Sequence, residues 1–143
     1  MNQRTMHALR AAAFVAAATL ASFGACAQSI KIGYIDPLSG GGATIGEHGL
    51  KHLQFLVETI NAKGGVIGGQ KLEAVAYDNK GSPQESLVQV QKAIDAGVRF
   101  ITQGNGSGAA IAISEFVAKY NERNPGKEVL YFNYAAVDPA LTN

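Results

Sequence analysis

Two hydrophobic rhythms take turns along this chain. Ile30-Lys31-Ile32-Gly33-Tyr34-Ile35 is a short β-rich run closed by Asp36-Pro37, and it predicts a strand that empties into the Gly-rich loop Ser39 to Gly42. From Ile45 to Lys63 the residues Leu50, Leu53, Leu56, Val57 and Ile60 recur at helical spacing. Asn61-Ala62-Lys63-Gly64-Gly65 ends that helix, with a basic residue in the last turn and glycine free to take positive φ. Leu72 to Tyr77 predicts a second strand, closed by Asp78-Asn79. Ser82-Pro83-Gln84-Glu85 places Ser at a cap, Pro at the first helical position and Glu three residues after the cap, the pattern of a capping box. The helix it opens runs through Leu87, Val90 and Ile94 to Gly97. Val98 to Thr102 predicts a third strand. A third helix starts at Ser107, carries Ile111, Phe116, Val117 and Tyr120, and breaks at Asn124-Pro125-Gly126. Val129 to Phe132 predicts a fourth strand. Strand and helix thus alternate four times, which predicts an α/β fold in three layers, a parallel sheet with helices on both faces. No helix follows the fourth strand, so the pattern reads as the front part of a longer protein.

Upstream of the first strand the rhythm disappears. Met1 to Arg10 carries Arg4 and Arg10 and no acid, Ala11 to Phe23 is uncharged and Ala-rich, and Ala25-Cys26-Ala27 follows as an A-x-A triplet. This is the layout of a secretory signal peptide over residues 1–27. Its apolar part is short of the roughly 20 residues that span a bilayer. Phe23-Gly24-Ala25-Cys26 resembles a lipoprotein box with Phe in place of the usual Leu, so cleavage after Ala27 is preferred to lipidation of Cys26. The expected location is the periplasm, with no membrane span left after cleavage, and residues 28–143 are read as one incomplete domain.

Composition narrows the function. With 12 Lys+Arg against 11 Asp+Glu among 143 residues the chain carries a charge of +1, and no strong field points at nucleic acid. The single cysteine, Cys26, excludes an internal disulfide framework or a cysteine-based zinc cluster. Removing the signal leaves no cysteine at all, which suits an oxidising compartment.

In open parallel sheets, ligands bind beyond the carboxyl ends of the strands. Those ends are Asp36 to Thr44, Gln103 to Ser107 and Asn133 to Val137. Gln103-Gly104-Asn105-Gly106-Ser107-Gly108 is a flexible turn that opens a helix, and its free N–H groups and helix dipole favour an anion. Ser107 either caps that helix or offers its hydroxyl to a ligand. Gly104-x-Gly106-x-x-Ala109 also satisfies a dinucleotide fingerprint, but the fourth strand ends in Phe132-Asn133 where the ribose-binding acid is expected. An NAD-dependent enzyme is therefore the weaker alternative. His48 and His52 stand four apart, yet Gly49 occupies the place of a zinc peptidase's Glu, so a solvated helix face is preferred to a metal site. Asp36, Asp78 and Asp138 are read as turn-forming acids. No nucleophile, base and orienting group can be assembled, and neither catalysis nor a cofactor is expected.

Taken together, IKIGYIDPLSG, INAKGGVIGGQKLEAVAYDNKGSPQESL and NYAAVDPALT, behind an export signal, resemble the periplasmic solute-binding proteins of branched-chain amino acid ABC transporters. The resemblance covers residues 30–142. It implies the first lobe of a two-lobe, hinged protein that traps a small molecule and delivers it to an ABC permease. It also implies that the ligand carboxylate is held by backbone N–H and a hydroxyl at the start of the third helix, matching Gly106 and Ser107. Ala135 and Ala136, after the fourth strand, match further backbone contacts. With Ser39, Gly40 and Asn105 from the strand-end loops they form the expected ligand set. Two positions depart from the family's pattern. Val137 stands where amino-acid binders commonly have Thr, and Ile45 where they commonly have an aromatic residue. Both make this side of the pocket more apolar, and an unpaired ammonium there is costly. An aromatic acid or other small carboxylate therefore stands beside branched-chain amino acids as an expected ligand. An exported sensor of the same fold is the alternative function.

Overall fold

The computed structural model describes residues 28–142; the expected signal peptide over residues 1–27, with Cys26, lies outside the described residues. Strand β1 (Ile30–Asp36) is followed by a 3-10 turn (Gly40–Gly42), helix α1 (Ala43–Ala62) and a second 3-10 turn (Ile67–Gly69). Then come β2 (Leu72–Asp78), α2 (Pro83–Asp95), β3 (Phe100–Gln103), α3 (Ser107–Arg123), β4 (Leu130–Asn133) and a last 3-10 turn (Pro139–Leu141). The strands form one parallel sheet in the order β2-β1-β3-β4. The expected α/β alternation holds, with β3 and β4 each displaced toward the C-terminus of the expected runs.

Period-2 alternation decides what each side chain meets. Ile35 of β1, Tyr77 of β2 and Ile101 of β3 face α2 and α3, where they pack with Val90, Ile94, Ile113 and Val117 in the main core. Helix α1 covers the other face of β1 and β2. Beyond it, Phe100, Leu130 and Phe132 project from β3 and β4 and stay exposed. Among the described residues, one half of one sheet face is therefore bare.

Only part of the capping box at α2 forms. Ser82 Oγ accepts from the Glu85 N–H at 3.3 Å, but the Glu85 carboxylate takes the Gln89 amide at 2.8 Å and the Ser82 N–H goes to Asn79 O. Two asparagines do unannounced work. Asn61, near the end of α1, donates to Leu72 O and accepts from Leu72 N, both at 2.8 Å. Asn121, near the end of α3, makes the same pair with Val129, at 2.9 and 2.8 Å. Each side-chain amide acts as an extra peptide group that docks a helix end to the start of the next strand.

Candidate functional site

All nine expected ligand residues lie at the carboxyl end of the sheet or in the first turn beyond it. Ser39 and Gly40 follow β1, and Ile45 lies in the first turn of α1. Asn105, Gly106 and Ser107 join β3 to α3, while Ala135, Ala136 and Val137 follow β4. They form an open rim: Ile45 is 64% and Val137 87% exposed. Ser39 is turned toward its neighbour. Burial pushes the Asp78 carboxyl up, but the Ser39 hydroxyl and the N–H groups of Leu38, Lys80 and Ser39 outweigh it and hold the group below its ordinary range. The Leu38 and Lys80 bonds are both 2.9 Å.

Beneath the rim lies a buried group that sequence reading took for a turn former. Asp36 is wholly buried at the end of β1. Its carboxylate accepts the Gly104 N–H at 3.3–3.4 Å, the Asn105 N–H at 2.9 Å and the Tyr134 hydroxyl at 2.6 Å. Tyr134 stacks on Tyr34, with ring centroids 6.4 Å apart and the planes 22° apart. The two hydroxyls lie 3.1 Å from each other, and the Tyr34 hydroxyl donates to Gly46 O at 2.9 Å. Burial pushes the Tyr34 phenol up to about 12. Burial, and then the bond to Asp36, push Tyr134 higher still. The backbone just after β3 can lie this close to Tyr134 only because residue 104 has no side chain: a Cβ there would sit 2.5 Å from the ring. Gly49 is explained the same way, since its Cβ would fall 2.2 Å from the Tyr34 oxygen.

The N–H groups of the β3–α3 turn are thereby divided. Those of Gly104 and Asn105 belong to Asp36, and the Asn105 side chain reaches the Tyr134 hydroxyl at 3.3 Å. The first residue of α3 is Ser107, so the cap position falls to Gly106 (φ 94°), and no side chain caps the helix. Ser107 is therefore not the cap; Ala109 and Ala110 both donate to Gly106 O at 3.1 Å, which leaves the N–H groups of Ser107 and Gly108 without an acceptor in the helix. Gln103, also buried, braces the turn from below. Its amide donates to Asn105 O at 2.7 Å, and its carbonyl accepts the Tyr131 hydroxyl at 2.7 Å.

The nine rim residues line neither of two clefts on the α1 side of the sheet. A cleft of about 310 Å³ is walled by Tyr34, Gly49, His52, Leu53, Thr102 and Tyr134. Another of about 330 Å³ includes Ile32, Phe100 and Phe132; both border the bare sheet face. His48 and His52 are exposed on α1, and among the described residues no three potential metal ligands converge. No helix among them is long and apolar enough to cross a membrane. Sequence reading missed Asp36, Tyr34 and Tyr134 as a unit. The available signal was the period-2 register, which sets Asp36 on the same strand face as Tyr34.

A parallel sheet whose helix-opening turn and strand-end loops gather at one end presents an open rim of the kind on which α/β proteins bind ligands. The chain belongs to the periplasmic binding protein family, whose model matches residues 29–143. It is 40% identical over 135 residues, 94% of its length, to the Leu/Ile/Val-binding protein homolog 4 of Brucella abortus. It spans about a third of the length of that relative, 32%. The fold matches the closed leucine-, isoleucine-, valine-, threonine- and alanine-binding protein of Brucella ovis with a TM-score of 0.76 and 40% identity, covering 81% of this chain and 30% of that one. It also matches the branched-chain amino acid transporter substrate-binding protein LivJ of Streptococcus pneumoniae, solved with isoleucine, with a TM-score of 0.67 and 30% identity over 80% of this chain and 31% of that one.

Proposed function

We propose that this chain supplies half of a ligand cleft in a non-enzymatic, exported binding protein that captures a small carboxylate, foremost a branched-chain amino acid, and hands it to an ABC permease. Residues 1–27 direct export and are removed after Ala27, and residues 28–143 form the front of the first lobe. The ligand carboxylate docks on the N–H groups at the start of α3 with the Ser107 hydroxyl beside them. Ser39, Gly40, Asn105, Ala135 and Ala136 border it, and Ile45 and Val137 form its apolar edge. The observation that carries the reading is the uncapped start of α3. A helix terminus with free donors and a positive dipole end is an anion site waiting for its acceptor.

The Ser107→Ala variant tests it. Calorimetry with L-leucine, L-isoleucine, L-valine and benzoate on the protein and the variant should show a roughly 10- to 150-fold weakening for the ligand that binds, the value of one charge-assisted hydrogen bond. Because Ser107 is not the cap, the melting temperature should move little. Unchanged affinity overturns the carboxylate site. Binding of benzoate and of no amino acid moves the assignment to an aromatic acid, as the apolar Ile45 and Val137 would favour.

A further inference from the structure

We infer that Asp36 and Tyr134 are positioning residues that lock the three ligand loops into one preformed jaw. The inference rests on the proposed use of these loops and deepens it. The path is continuous. Asp36 Oδ1 and Oδ2 hold Gly104 and Asn105, two and one residues before Gly106. Tyr134, which directly precedes Ala135 and Ala136, donates to Asp36 Oδ2 at 2.6 Å. Tyr34 meets Tyr134 at 3.1 Å and donates to Gly46 O, the residue after Ile45. One carboxylate and two phenols thus join the end of β1, the first turn of α1 beside Ile45, the β3–α3 turn and the segment after β4.

Proton counting gives the chain a direction. Each phenol has one proton and the carboxylate has none to give. The short contact assigns the Tyr134 proton to Asp36, which leaves the Tyr134 oxygen free to accept from Tyr34 or from Asn105 Nδ2 at 3.3 Å. Tyr34 has a single proton, which goes to Gly46 O or to the Tyr134 oxygen and not to both at once. Among the described residues every buried side-chain polar atom has a partner, so removing one member strands another. In a binding site, loops held in advance need less ordering when ligand arrives.

The test cuts the network in one loop and reads it in another. In the protein with Tyr134→Phe, which keeps the ring and removes the hydroxyl, amide exchange is followed at Gly104 and Asn105, whose acceptor Asp36 is untouched. In the Asp36→Asn variant it is followed at Ala135 and Ala136, whose N–H groups bond to Asn133 rather than to Asp36. Ser86→Ala is the comparison, since it removes a buried bond to Asn79 in the β2–α2 loop without touching the Asp36 carboxylate or either phenol. The expected result is at least about tenfold faster exchange across the network in both cutting variants, with core amides such as Val90 and Ile101 unmoved. It should come with weaker L-isoleucine binding in the two cutting variants and normal binding in Ser86→Ala. Exchange unchanged in the second loop, or raised equally in loop and core, overturns the positioning role. If the unaltered protein ignores L-isoleucine, the amino-acid reading falls, and the exchange comparison still decides the role of Asp36 and Tyr134.

Discussion

Tyr34 is almost fully buried, with its hydroxyl between Gly46 O and the Tyr134 oxygen. Burial raises its proton affinity from an ordinary value of 10.0 to about 12. The folded state therefore holds this proton more tightly than the unfolded chain does. The stability it contributes is whole below pH 10 and disappears as pH climbs through 12. Tyr134 moves in the same direction. Urea melts at stepped alkaline pH should show stability falling across that interval. Tyr34→Phe should flatten the fall, while costing about 1 kcal/mol at neutral pH for the lost bond to Gly46. A slope identical in the variant would show that other groups govern the alkaline limit. Asp36 at this scale shows why residue type alone misleads: at a strand end it reads as an ordinary turn acid, and only three converging donors reveal a buried acceptor.

Between elements, the paired bonds of Asn61 and Asn121 set where β2 and β4 begin. A free side-chain amide, with one donor and one acceptor, satisfies the two backbone groups of Leu72 or Val129 that the strand start leaves unpaired. Asn121→Ala should lower stability by about 1–3 kcal/mol, read from the urea midpoint, because it leaves a half-buried N–H and a carbonyl without partners. Asn121→Asp should recover little of that, since a carboxylate oxygen would then oppose Val129 O. Full recovery by Asp would show that the donor half of the pair is unimportant. Neither residue was visible as a bridge in the sequence, where Asn61 stood only as a helix-ending residue. The capping box at Ser82 was visible, and the half of it that depends on local geometry formed. Its Glu85 half lost to a helix-turn neighbour, Gln89.

For the whole molecule the deciding feature is coverage. Parallel sheets are normally shielded on both faces, yet β3 and β4 show Phe100, Leu130 and Phe132 to solvent on the side that α1 does not reach, with Leu130 and Phe132 each 51% exposed. The polypeptide 28–143 by itself should bind an apolar dye such as ANS. Phe132→Lys should cut the signal severalfold without lowering the melting temperature, because the replaced side chain lies outside the main core. Equal dye binding in the variant would place the exposed apolar surface elsewhere.

The order and type of the elements were legible from periodicity, because burial against a sheet and against a helix imposes different spacings on the same apolar residues. The rim was legible for a related reason: in a parallel sheet every βα loop emerges at the same end, so naming the strands names the loops. The family was legible too, through motifs such as DPLSG and NYAAV. Tertiary structure alone decided what those loops rest on. Asp36, Gly104 and Tyr134 are far apart in the chain and meet because β1 pairs with β3 and β3 with β4. A hydrogen bond formed across two strand crossings leaves no local periodicity to read, since its cause is sheet order and not spacing along the chain.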